Sequence, residues 1–116
     1  MRFERMEVWQ KAARLSAELY TGLAELNIYS FRDQITKSGL SIASNIAEGS
    51  ERGSDKDYAR FIAFARGSCA ELRTQIYIGL KAGLIDETIG RRWIKDCDQI
   101  SRMLFTLRQK LINEPA

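Results

Sequence analysis

Ser54 to Gly83, SDKDYARFIAFARGSCAELRTQIYIGLKAG, is the stretch on which the fold turns. Within it Tyr58, Ile62, Ala65, Cys69, Leu72, Ile76 and Gly79 follow one another at steps of 4, 3, 4, 3, 4 and 3. That spacing keeps one apolar seam on one side of an α-helix. Ser54-Asp55-Lys56-Asp57 has the arrangement of a capping box and sets two acids at the positive end of the helix dipole. Gly83 supplies a C-terminal stop. A helix over about 55–82 is predicted, roughly 40 Å long at about 1.5 Å per residue. Its outer side is not polar: Ala59, Ala63, Ala70 and Tyr77 form a second lane, with Phe64, Gly67 and Ile78 further round. A helix apolar over more than half its circumference needs a second partner.

Moving toward the N-terminus, Ser30-Phe31-Arg32-Asp33 reads as another capping box, opening a helix over about 31–49. Its core stripe is Ile35, Gly39, Ile42, Ile46 and Gly49, with Gln34, Ser38 and Asn45 along one edge. A glycine inside a helix costs about 1 kcal/mol against alanine, so Gly39 points to close approach of a neighbouring helix. Before it, Trp9, Ala12, Ala13, Ser16, Leu19, Tyr20, Leu23 and Leu26 recur at helical spacing and predict a helix over about 4–26, with Asn27 as a left-handed stop. Toward the C-terminus, Asp86 can cap a helix over about 87–112 that turns Ile89, Trp93, Cys97, Ile100, Leu104, Leu107 and Leu111 inward. It too carries a second lane, Ile94, Phe105 and Ile112.

Four amphipathic helices on short loops favour antiparallel neighbours. The fold class is therefore all-α, an up-down-up-down four-helix bundle forming a single domain over 1–116. The sole proline is Pro115 and no stretch alternates with period 2 for long, so no sheet is expected.

Composition narrows the function classes. With 45% hydrophobic and 28% charged residues, the 116-residue chain is globular rather than disordered. A net charge of +3 permits nucleic-acid contact without demanding it. No apolar run approaches a membrane span and the first residues do not lead into a signal-peptide core, so a cytoplasmic location with no membrane partner is expected. Histidine is absent, which removes Ser-His and Cys-His nucleophiles, His-ligated zinc and the Glu-x-x-His di-iron pattern. Cys69 and Cys97 fall on apolar helix faces and read as buried, reduced thiols. No catalytic group, metal or cofactor is expected, and the chain reads as a non-enzyme.

Three segments carry a resemblance. Phe3-Glu4-Arg5-Met6-Glu7-Val8-Trp9-Gln10-Lys11-Ala12 is similar to an opening "F-x-x-L-x-V-W-Q-x-A". Ser41-Ile42-Ala43-Ser44-Asn45-Ile46-Ala47-Glu48-Gly49 resembles "S-I-P-S-N-I-A-E-G", with Ala43 where proline is common. Gly67-Ser68-Cys69-Ala70-Glu71-Leu72 resembles "G-S-x-x-E-L". The family is the bacterial four-helix-bundle group named after proteins encoded in 23S rRNA intervening sequences. It is similar to the accessory variability proteins of diversity-generating retroelements. The resemblance implies a homo-oligomer, a pentameric ring first, that binds RNA or DNA through basic surface and a protein partner such as a reverse transcriptase. It also shows a departure. Where the family has "Q-I-R-R-A", this chain has Gln34-Ile35-Thr36-Lys37-Ser38, so the basic pair shrinks to Lys37.

Three sets of residues follow. Asn45, Glu48, Arg52 and Glu71 are expected to form a structural polar network, with Glu48 four residues before Arg52 for an ion pair and Asn45 serving backbone groups around Gly49. Phe64, Tyr77, Ile78, Ile94, Phe105 and Ile112 are the candidate oligomer interface. Lys37, Arg66, Arg73, Arg91, Arg92 and Lys95 are the candidate nucleic-acid contacts. Replicated around a ring, a few cations per subunit would form a continuous positive surface. A protein-interaction scaffold without nucleic acid is the alternative.

Overall fold

In a computed structural model that describes residues 2–113, the helix over Ser54 to Gly83 forms much as its sequence dictates. It is α3, Asp55–Lys81. Ser54 is extended, and its Oγ accepts the Asp57 backbone N–H at 3.1 Å, satisfying one of the donors a helix start leaves free. At the other end Gly83 takes φ +73°, while the N–H groups of Gly83 and Leu84 donate to the carbonyls of Leu80 (3.2 Å) and Gly79 (2.8 Å). That double closure is a Schellman motif, which needs a left-handed residue where glycine stands.

The other helices are α1, Glu7–Gly22, α2, Tyr29–Ser50, and α4, Glu87–Asn113. Asp86 caps α4 by accepting the Ile89 N–H at 3.1 Å. Each helix packs on its neighbours in sequence and α1 closes on α4, while the backbones of diagonal helices stay apart. The result is an antiparallel four-helix bundle of 49 × 21 × 19 Å. Leu15 and Leu19 from α1, Ile35, Ile42 and Ile46 from α2, Ile62, Leu72 and Ile76 from α3, and Trp93, Ile100 and Leu104 from α4 are almost fully buried. The periodic stripes of the last three helices thus meet along the bundle axis. Gly39 lets α1 approach α2: a Cβ there would overlap Leu19 and sit 3.7 Å from the Ser16 Cα.

The first helix departs from the expected 4–26. A short 3-10 turn, Phe3–Arg5, precedes an extended Met6 (φ −77°, ψ 129°). That break folds Phe3 back edge-on to Trp9, with ring centroids 5.3 Å apart, and sets the Met6 sulfur to accept from the Tyr58 hydroxyl at 3.4 Å. At its far end α1 stops at Gly22, where the Trp93 ring lies 2.9 Å from the position of a Cβ. The Arg32 guanidinium takes the Ala24 and Leu26 carbonyls at 3.3 Å each, holding the connection as a loop. Asn27 is not left-handed, because no described residue other than glycine has a positive φ. Ser30 is not a cap: α2 begins one residue earlier, with Ile28 before it and no side-chain cap. Ile28, Tyr29 and Ser30 are exposed, so water can serve those first N–H groups. Within α1 the buried lane is Val8, Ala12, Leu15 and Leu19, whereas Trp9 is half-buried and Tyr20 is exposed.

Among the described residues no helix is long and apolar enough to cross a membrane.

Candidate functional site

Two family-like segments meet across the α2–α3 seam. Ser41 and Ser68 face each other with hydroxyl oxygens 2.9 Å apart. One turn away, the buried Ser38 hydroxyl donates to the Glu71 carboxylate at 3.2 Å. Asn45 donates from its amide nitrogen to the Ser41 carbonyl at 2.9 Å and to the Ser41 hydroxyl at 3.0 Å. Serines are short enough to let the helices approach while still satisfying polar edges, and they fix the register of α2 on α3. Gln34, Lys37, Ser38, Ser41, Glu71 and Gln75 line a hollow of about 460 Å³ beside this ladder. The edge of Gln34, Ser38 and Asn45 was legible from helix phase. The Ser41–Ser68 pair was not, since periodicity says which face a residue occupies but not which residue it meets.

The expected polar network is therefore corrected in two places. Glu48 is exposed, and its carboxylate makes no ion pair or hydrogen bond among the described residues. Arg52 lies beyond the end of α2 at Ser50, so the i,i+4 geometry is lost. Its guanidinium instead pairs with Asp57 at 2.9 Å and lies 4.9 Å over the Phe61 ring. Arg60 also reaches Asp57, at 2.9 Å. The Arg52 hydrogen bond, followed by that of Arg60, holds the Asp57 carboxyl below its ordinary pKa. Asn45 serves Ser41 rather than the backbone around Gly49.

The outer apolar residues are placed more simply. Phe64 (48% exposed), Tyr77 (42%), Ile78 (53%), Phe105 (48%) and Ile112 (47%) all face outward, whereas Ile94 is 7% exposed. Ile94 is thus a correction: it neighbours Trp93 in the core, where α4 turns both residues inward. Leu40 joins the exposed set at 49%. It belongs to neither the core stripe nor the polar edge read for this helix. Large apolar side chains left half-exposed mark an interaction site where they are contiguous.

Half of the candidate cations are already ion-paired. Arg73 pairs with Asp98 at 2.6 Å, Arg91 with Glu87 at 2.9 Å and Arg92 with Glu18 at 2.6 Å. Arg66 lies 5.1 Å over the Phe105 ring, its Nε buried without a hydrogen-bond partner. Of the six candidates, Lys37, Arg66 and Lys95 carry no ion pair among the described residues. Lys37 lines the α2–α3 hollow, Arg66 is on α3 and Lys95 on α4.

Cys69 and Cys97 are buried free thiols, with Cys69 Sγ donating to the Cys97 carbonyl at 3.2 Å. The contact with Cys69, reinforced by burial, pushes the Cys97 thiol far above its ordinary pKa, so it stays protonated. Among the described residues no group of three or more Cys, Asp or Glu side chains is placed to hold a metal ion.

Comparison with known proteins gives two findings. A family model described as 23S rRNA-intervening sequence protein matches residues 4–106. A crystal structure of a protein with unknown function from the S23 ribosomal protein family of Bacteroides thetaiotaomicron superposes with a TM-score of 0.82. It is 20% identical and covers 88% of this chain and 98% of that one, a likeness of fold. No curated protein matches the sequence.

Proposed function

Since the chain belongs to the 23S rRNA-intervening sequence protein family, whose matched structure is of a protein of unknown function, we propose that it is a non-enzymatic scaffold that works as a homo-oligomer. The observation that carries this reading is the set of large apolar side chains on α3 and α4 that remain about half exposed after the core is complete. Their burial between copies would add to stability at about 25 cal/mol per Å² of apolar surface. Five copies in a ring are the first stoichiometry to test. Ile78→Glu tests the surface directly, because Ile78 is 53% exposed and α3 should keep its fold. The variant should sediment at a lower mass than the wild type with unchanged helical circular dichroism. An unchanged mass would remove Ile78 from the interface.

Nucleic-acid binding is the weaker reading. Three of the six candidate cations are already paired with carboxylates, although exposed pairs are worth only about 0–1 kcal/mol and can exchange partners. Labelled RNA bound at low salt and released steeply as salt rises would favour it over the protein scaffold.

A further inference from the structure

The bundle end formed by the start of α3 and the end of α4 holds a groove of about 460 Å³, within the range of roughly 300–1,000 Å³ typical of ligand sites. Ala59, Ala63, Leu111 and Ile112 give it an apolar floor, and Phe64 forms one wall. Its remaining lining residues are Lys56, Arg60 and Arg108, three cations with no carboxylate among them. Arg60 is engaged by Asp57 and lies over the Phe61 and Phe64 rings. Lys56 and Arg108 have no ion pair among the described residues, and the Arg108 Nε is buried without a hydrogen-bond partner. Arg108 as a whole is only partly buried, so a carboxylate supplied from outside can pair with its guanidinium.

We propose that this groove docks an acidic amphipathic helix from a different protein, its leucine-like side chains on the Ala59–Ile112 floor and its carboxylates on Lys56 and Arg108. This refines the scaffold reading and rests on it. The Phe64–Ile112 end of the apolar surface, beside which Phe105 lies against Arg66, takes the foreign helix, while Tyr77 and Ile78 serve contact between copies. Tyr77 lies about 20 Å further along α3 than Phe64 at about 1.5 Å per residue, so the two uses do not collide. Charge complementarity selects the occupant. An apolar floor offers nothing to a phosphate backbone, and a cationic rim disfavours a basic helix.

The test uses the full chain and a labelled peptide of about 16 residues, with leucines at helical i, i+3, i+4 and i+7 positions and glutamates between them. Fluorescence anisotropy should show micromolar binding that weakens at least tenfold in Lys56→Glu/Arg108→Glu and in Ile112→Asp. Circular dichroism serves as the check that both variants fold. The same peptide with lysines in place of the glutamates should not bind. Equal binding of the two peptides, or no loss in the variants, overturns the proposal. So does a tenfold gain when residues 114–116 are removed, which would make the chain's own tail the occupant, and so does displacement of the peptide by RNA. Binding by a protein that scatters light as a monomer would defeat the scaffold reading and leave the groove. An oligomer that ignores the peptide would do the reverse.

Discussion

Replacing Gly49 by alanine should loosen the seam between α2 and α3, and the size of the effect can be worked from the structure. A Cβ at Gly49 would lie 2.8 Å from the Phe61 Cβ, 3.0 Å from the Tyr58 Cδ1 and 3.3 Å from the Tyr58 carbonyl oxygen. The Phe61 Cβ and a backbone carbonyl cannot swing aside as the tip of a long side chain can, so the start of α3 must move. Overpacking of this kind costs about 1–3 kcal/mol, and the rigid neighbours place Gly49 in the upper half. Alanine returns up to about 1 kcal/mol in helix propensity, less here because Gly49 is one residue from the end of α2. The net loss is about 1–2 kcal/mol. At about 2.1 cal/mol/K per residue of unfolding entropy, that lowers Tm by about 4–8 °C in a chain of this length.

The internal control is Gly67→Ala. Gly67 also sits within a helix, but a Cβ there would meet nothing within 4 Å. Its propensity gain is unopposed, and Tm should rise by about 3–4 °C. Calorimetry of the two variants at one protein concentration, with light scattering to show that both keep the wild-type assembly, makes the comparison. Equal shifts, or a Gly49→Ala protein more stable than Gly67→Ala, would refute the claim that Gly49 exists for close packing.

Other outcomes follow from the same geometry. Ser54→Ala removes the acceptor for the Asp57 N–H and should cost about 0.5–2 kcal/mol in denaturant titration, whereas Ser30→Ala, which removes no cap, should change stability little. Ile94→Ala should lose about 2–4 kcal/mol as a core truncation, against about 0.5 kcal/mol or less for Ile78→Ala in a dissociated sample. Asp57 has a depressed carboxyl pKa when folded, so its contribution is present above its unfolded value near 3.8 and is lost as pH falls through the folded one. Acid titration of Asp57→Asn should therefore show a shallower loss of stability below about pH 4 than the wild type.

Much of the bundle was legible because helices with a one-sided apolar stripe announce themselves by period. Tyr58 to Gly79 is the strongest case, and its caps at Ser54 and Gly83 appear as read. The misreadings occur where local signals compete with tertiary partners. Ser30 has the right chemistry for a cap, yet the helix starts at Tyr29. Leu23 and Leu26 continue an apolar rhythm, yet Trp93 against Gly22 and Arg32 on the loop carbonyls end the helix at Gly22. Ile94 shows the limit of phase reasoning, since it lies about 100° from Trp93 and both are buried. The Glu48–Arg52 pair failed for a related reason: α2 ends at Ser50, short of Arg52, which turns to Asp57 on α3 instead. Cross-helix partners such as Ser41 with Ser68 depend on the vertical offset between helices, which no single-helix pattern encodes.

The central claim is that apolar residues left outside the core, Tyr77 and Ile78 of α3 foremost, are covered by further copies of this chain. Multi-angle light scattering on the purified protein across a range of concentrations tests it most directly. The account predicts a mass that is a multiple of the 13.3 kDa subunit, five-fold in the first instance. A mass of 13.3 kDa that persists at high concentration would contradict it.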